Sequence, residues 1–384
     1  MMTKRLPSLL PFLLAAAEAH ADPKSFDTSF EGSPFLSARA AGLGETLSTT
    51  ATALDAFYYN PALIGGVHDK TEKPFLTHLY FPYLGMAAGD GGSSLVTERL
   101  QGTALSDDVM ADKLSSTFSG SNPYGRISAT PVVVFNRLMA GYTINKRVSA
   151  VLDETDPAAP RLHLTETSAS GPIVGFSATA PKEEFYLGVS VAFMQIEQTD
   201  ASFTQAEFAD AAVRKAAIKE GKDKFEGMPI HIGSAYRFKH SLKPAISFVM
   251  QDLGTTRYSR KDKSLDPRLQ KENALIGFSL SPKIQDWAMV NVTTEFANLT
   301  DSSVKFADKF RASTEFTMGE RFGADAGFSA RLGYTTAGMS YGLGMNLGIL
   351  HAEIASLAED IGIDDSKVIE RKSVFNIGIN IADY

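Results

Sequence analysis

From about Phe75 onward, apolar and polar residues alternate with a period of two. Ala324, Ala326, Phe328, Ala330, Leu332 and Tyr334 share one face of an extended chain, and Asp325, Gly327, Ser329, Arg331 and Gly333 share the other. Tyr341, Leu343, Met345, Leu347 and Ile349 then alternate with Ser340, Gly342, Gly344, Asn346 and Gly348. Near the end Phe375, Ile377, Ile379 and Ile381 alternate with Asn376, Gly378 and Asn380. The stretches 185–193, 288–296 and 310–316 behave alike. The pattern predicts strands with one face on apolar surroundings and the other on a polar or crowded interior.

A soluble antiparallel sandwich alternates too. Two features point instead to a membrane barrel. The strands are long, roughly 10 to 16 residues, where soluble strands run about 3 to 10. The connections are also lopsided. Strands are expected at 74–87, 124–136, 138–152, 161–179, 184–198, 226–239, 243–258, 270–282, 285–299, 304–318, 322–334, 337–347, 350–360 and 370–382. The long connections are 88–123, 153–160, 199–225, 259–269 and 361–369, and they fall on one side of the alternation. Short ones such as Asn136-Arg137, Pro181-Lys182 and Gly348-Ile349 fall on the other. The expected fold class is all-β: a transmembrane antiparallel β-barrel of about 14 strands over residues 73–384, with an N-terminal partly helical plug over 22–72. Two long loops, Leu95 to Phe118 and Thr204 to Lys222, carry helical spacing and are expected to pack on the barrel rim.

Composition narrows the functions. The chain has 384 residues, 44% hydrophobic and 21% charged, with a net charge of −7. It is too apolar for a disordered chain. It is too acidic for nucleic acid to be its main partner. The absence of cysteine excludes disulfides, thiol catalysis and thiolate zinc sites. No stretch approaches the roughly 18 unbroken apolar residues of a membrane helix. The seven histidines form no HExxH pair, and there is no Walker A loop or GxSxG elbow. The expectation is no enzyme, no metal and no cofactor.

Residues Met1 to Ala21 read as a secretory signal: Lys4 and Arg5, an apolar run from Leu6 to Ala17, then the small-x-small site Ala19-His20-Ala21 before Asp22. The expected destination is the outer membrane of a Gram-negative bacterium.

Residues 38–66 read ARAAGLGETLSTTATALDAFYYNPALIGG. This segment resembles the N-terminal plug of the FadL superfamily of outer-membrane barrels, which includes fatty-acid transporters and the PorV-like and TraF-type proteins. The shared features are the small-residue run Arg39-Ala40-Ala41-Gly42-Leu43-Gly44, the short helix around Ala53-Leu54-Asp55-Ala56, and Asn60-Pro61-Ala62-Leu63. At the other end, Ala358-Glu359-Asp360-Ile361-Gly362 and Glu370-Arg371-Lys372 resemble the last hairpin of the PorV and TraF branch. The aromatic end of such barrels is matched by Tyr384, though it lies in phase with Asn376 and Asn380 rather than with Phe375.

The plug residues can be read physically. Gly42 and Gly44 permit close approach or positive φ. Pro61 keeps Asn60 out of the helical region, so Asn60-Pro61 ends the helix that holds Asp55. Phe57, Tyr58 and Tyr59 are placed to line a path beside the plug. Inward charges Glu295, Arg311, Glu315, Asp325 and Arg331 are expected to form a lumen network, holding the plug or selecting a polar head group. The resemblance implies passage of hydrophobic or amphipathic small molecules, with a ligand site near the mouth and a lateral exit at a strand kink. The alternative it implies is a non-conducting scaffold that binds exported proteins. The expected partners are outer-membrane lipid and either a hydrophobic small molecule or an exported protein.

Overall fold

The computed structural model describes residues 35–64, 78–89, 91–154, 158–180, 184–260, 266–285, 287–319, 326–361 and 369–382. The expected signal segment, Asp325 and Tyr384 lie outside the described residues.

Among the described residues fourteen strands form one antiparallel sheet. They are β1 (His78–Ala88), β2 (Tyr124–Ala129 with Val132–Phe135), β3 (Leu138–Asp153), β4 (Arg161–Thr179) and β5 (Phe185–Ala192 with Met194–Phe203). Next come β6 (Lys222–Gly227 with Ile230–Arg237), β7 (Ala245–Gln251 with Thr256–Arg260), β8 (Arg268–Gln270, Asn273–Leu280 and Lys283–Gln285) and β9 (Ala288–Phe296). The last are β10 (Phe310–Gly319), β11 (Ala326–Thr335), β12 (Gly338–Leu347), β13 (Leu350–Asp360) and β14 (Ile369–Ala382). Each strand pairs with its sequence neighbours. The sheet closes because β14 pairs β1 from His78↔Ala382 to Ala88↔Ser373. A closed barrel leaves no unpaired edge.

The burial is inside out relative to a soluble protein. Along β4, Ile173, Gly175 and Ser177 are buried while Val174 and Phe176 stand 45% and 51% exposed. Along β12, Ser340, Gly342 and Gly344 are buried, whereas Tyr341, Leu343 and Met345 are exposed. The apolar face therefore points outward all round and the polar face inward, as membrane lipid requires. The alternation read from the sequence predicts this, and the strand count agrees.

The β5–β6 hairpin runs further than expected. It reaches Phe203 and restarts at Lys222, because the register continues through Thr199↔Lys222. The tenth strand starts at Phe310 rather than near 304. A 3₁₀ turn at Phe306–Lys309 precedes it, and the Lys309 ammonium is tied to the Asp301 carbonyl at 2.7 Å.

Both long loops are helical, as expected. They carry α3 (Gly92–Leu100) and α4 (Asp108–Ser115), then α5 (Gln205–Ala209) and α6 (Ala211–Glu220). Earlier in the chain lie α1 (Ala38–Gly42) and α2 (Ala53–Tyr59). Thr204 and Glu207 make a reciprocal capping box on α5. The loop helices rest on the outer wall. Leu95, Met110, Leu114 and Phe208 pack on outward Val148, Ala150, Leu162, Leu164 and Phe203 at the end of the barrel where the long loops lie.

Candidate functional site: the plug and its seat

Residues 35–64 fill the lumen. Ser37 caps α1, its Oγ accepting from the Ala40 N–H at 3.1 Å. Every residue of α1 is buried. A helix this small-sided can lie directly on the wall. A Cβ on Gly42 would stand 3.1 Å from the Gly342 Cα of β12. On the next turn Gly44 has φ +57°.

The wall supplies its own glycines opposite the plug. A Cβ on Gly188 of β5 would fall 2.2 Å from the Pro61 carbonyl carbon. One on Gly333 of β11 would fall 2.4 Å from the Gly44 nitrogen. Gly188, Gly333 and Gly342 are thus contact points where plug backbone meets wall backbone.

Asn60 anchors the turn between α2 and the following 3₁₀ turn Pro61–Leu63. Its Oδ1 accepts from the Ala62 N–H at 3.0 Å. Its Nδ2 donates to the carbonyls of Ser48 at 2.6 Å and of Ser234 on β6 at 3.3 Å. Pro61 has no N–H to leave orphaned there. Gln251 of β7 donates to the Tyr58 carbonyl at 2.9 Å, and Ser190 of β5 donates to the Phe57 carbonyl. Ala38 N–H donates to Asn376 Oδ1 of β14.

The inward charges that hold the plug fall into two groups. In the first, Arg39 of α1 grips Glu315 of β10 with two prongs, Nε to Oε1 at 3.0 Å and Nη2 to Oε2 at 2.8 Å. Arg39 also reaches Asp55 of α2 at 3.2 Å and the Thr50 carbonyl at 3.0 Å. Arg331 of β11 meets Glu315 at 2.9 Å and Glu353 of β13 at 2.7 Å. Two guanidiniums thus alternate with three carboxylates, and His351 lies 3.4 Å from Glu353. In the second group, Arg311 pairs with Glu45 of the plug at 3.2 Å, and Glu295 accepts the Ser48 backbone N–H at 3.0 Å. Burial pushes the Glu45 carboxyl up to about 7, with the Arg311 guanidinium opposing.

Of the residues singled out in the sequence, Asp55, Glu315 and Arg331 come together, while Arg311 and Glu295 belong to the second group. Asp325 lies outside the described residues. Arg39, Glu45 and Glu353 are the members that sequence reasoning missed. Their signal was weak: a lone Arg inside the small-residue run, and a Glu on the inward phase of β13.

Phe57, Tyr58 and Tyr59 sit within one apolar cluster with Phe35 and the wall residues Tyr80, Tyr83, Val132, Val134, Met139 and Ile173. Phe35 and Phe57 meet edge to face at 4.8 Å, and Tyr58 and Tyr59 at 5.1 Å. Next to this cluster the wall is irregular. Pro82, Pro131, Pro172 and Pro229 lie on β1, β2, β4 and β6. The bonds Thr130 N to Tyr83 O, Tyr142 N to Pro131 O, Phe193 N to Pro172 O and Ala192 N to Pro229 O place them at one height. Each proline lacks the N–H its ladder position would use. β1 carries an extra residue between Tyr80 and Tyr83 there, and β7 bulges at 252–255. The loop-end lumen beyond this row is polar, with Arg126 on Asn145 at 2.9 Å and Arg268 on Asp200 at 2.6 Å.

No protein-family model matches the chain, and no curated protein matches it. Solved structures with a similar form include a TodX deltaS2S3 mutant monoaromatic hydrocarbon channel, at 10% identity and TM-score 0.49, covering 89% of this chain and 97% of that one. The toluene transporter TbuX of Ralstonia pickettii has 9% identity and TM-score 0.49, covering 93% and 100%. A FadL homologue of Pseudomonas aeruginosa has 9% identity and TM-score 0.35, covering 91% and 98%. These likenesses concern the general form of the barrel and say nothing of what this chain carries.

Proposed function

We propose that the chain is an outer-membrane barrel of FadL type that passes hydrophobic or amphipathic small molecules, with its long loops facing outward from the cell. The proline row carries this reading. At one height, prolines on β1, β2, β4 and β6 remove hydrogen-bond donors from the wall, while the β3–β4 ladder runs on past Tyr142 and Pro172. On the lumen side of that row lies the aromatic flank of the plug. On the lipid side lies the exposed apolar band, with Phe81, Tyr142 and Phe193. A molecule leaving sideways there exchanges one apolar surface for another and never crosses the polar turn end. The charged loop-end lumen suits a cargo with a polar head, so amphipathic molecules fit better than bare hydrocarbons.

The competing reading is a closed scaffold for an exported protein, favoured by the charge-locked plug. Uptake of a radiolabelled long-chain fatty acid and of a monoaromatic hydrocarbon is measured in cells carrying the wild-type chain or V132W. Val132 is buried on the lumen side of the row. The transport reading expects uptake of at least one probe and its loss in V132W with barrel assembly intact. Uptake no greater than in cells lacking the chain, together with a stoichiometric co-purifying protein, overturns it.

A further inference from the structure

A second polar site lies on the outside of the barrel, away from the plug. Arg99 of α3, Lys146 of β3, Glu166 and Ser168 of β4, Glu197 and Thr199 of β5, and Lys222 of β6 line a cavity of about 300 Å³. The strand register explains why they share a face. Lys146 pairs with Ser168, Ser168 with Glu197 and Glu197 with Lys224, and Glu166 pairs with Thr199 and Thr199 with Lys222. On β3 the same face carries exposed Tyr142 and Ile144, and on β4 it carries Val174. From Ile144 to Lys146 is one pleat repeat, about 7 Å along the strand. The cavity therefore opens where the apolar girdle ends, beneath α3, which packs on Gly125 of β2.

The charges around it do not balance. Glu166 is shared by Arg99 at 2.5 Å and Lys146 at 3.2 Å. Glu197 is shared by Lys224 at 2.7 Å and by Lys222. Among the lining residues three cations, Arg99, Lys146 and Lys222, thus divide two carboxylates, an excess of one positive charge. The Arg99 Nε–H is buried and has no hydrogen-bond partner among the described residues. A phosphate ester supplies negative charge to that excess, accepts from a guanidinium and ammonium groups, and belongs at the height where lipid headgroups meet an apolar girdle.

We propose that this cavity binds the phosphate headgroup of an outer-leaflet glycolipid, whose acyl chains lie along the girdle below it. The site rests on the outer-membrane placement, which membrane fractionation tests separately.

The test uses the full chain in detergent after delipidation. Native mass spectrometry titrates it with bisphosphorylated lipid A, with the same lipid dephosphorylated, and with inorganic phosphate. The expected result is one lipid A per barrel, weakened about tenfold or more by K146Q/K222Q. Dephosphorylation should weaken it similarly, while K239Q at the turn end leaves it unchanged. Heat-modifiable gel mobility reports folding. If K146Q/K222Q does not fold, K222Q/K224Q replaces it, since both lysines are largely exposed. Equal lipid A binding by a folded variant and the wild type overturns the proposal. So does equal weakening by K239Q, or saturation by inorganic phosphate with no preference for the lipid.

Discussion

Arg39 of the plug and Glu315 of the wall, 276 positions apart in sequence, form a two-pronged ion pair at 3.0 and 2.8 Å with both side chains buried. Parallel N–H to carboxylate bonds fix direction as well as distance. Arg331 on the far side of Glu315 completes the neutralisation, so the plug is an integral member of a charge chain that crosses β10, β11 and β13.

R39A should therefore loosen the plug. It leaves Glu315 and Asp55 buried with one cation fewer, and breaking a buried pair costs about 3–5 kcal/mol. R39K should recover part of this, since a point charge cannot span both oxygens. Hydrogen exchange across residues 35–64 should rise in R39A, and single-channel conductance in planar bilayers should rise with it. Unchanged exchange and conductance would show that the plug is held by other contacts.

Gly188 predicts a steric counterpart. A methyl group there meets the carbonyl carbon of Pro61 at 2.2 Å, and backbone cannot swing aside as a side-chain tip can. G188A should displace the 3₁₀ turn at Pro61–Leu63 while leaving the β4–β5 and β5–β6 ladders paired. Cysteine accessibility at position 62 in an A62C background should increase. Continued protection would mean that the wall yields instead.

Much of the barrel is legible in the sequence because lipid imposes a strict period of two. Leu343 and Gly344 cannot exchange faces without exposing glycine to lipid and leucine to the crowded lumen. The partners of the plug are less legible. Arg39 lies in a run of small residues whose periodicity says only that it packs closely, and Glu353 is one of several inward polar residues. Which inward residue meets which plug residue depends on how the strands curl round. The proline row is hidden for the same reason: Pro82, Pro131, Pro172 and Pro229 align only once the registers are known. The outer cavity is also absent from any local motif, because its residues come from α3 and four strands.

Glu45 gives the plug a pH dependence with a definite sign. Its carboxyl is pushed up to about 7 by burial against an ordinary 4.5, despite Arg311 at 3.2 Å. A raised acid favours the docked plug fully below about 4.5. That contribution fades as pH rises through about 7. Exchange of residues 35–64 should therefore be slower at pH 5 than at pH 8 beyond the intrinsic rate change, and E45Q should remove most of the difference. An equal pH response in wild type and E45Q would contradict this.

Asn60 separates hydrogen bonding from shape. Fully buried, it accepts from the Ala62 N–H and donates to two carbonyls, those of Ser48 and Ser234. N60A removes all three bonds and leaves these groups without their partner, at about 1–3 kcal/mol for each one stranded. N60D keeps the shape and the acceptor but turns the donor edge into a carboxylate facing two carbonyl oxygens. A charge there is repelled, and a proton taken up to avoid it supplies one donor where two are needed. N60D should thus destabilise docking at least as much as N60A at neutral pH, and recover as pH falls toward 5. Thermal unfolding of the two variants at pH 5 and pH 8 checks this. A substitution that mattered only for side-chain volume would rank N60D close to wild type at both.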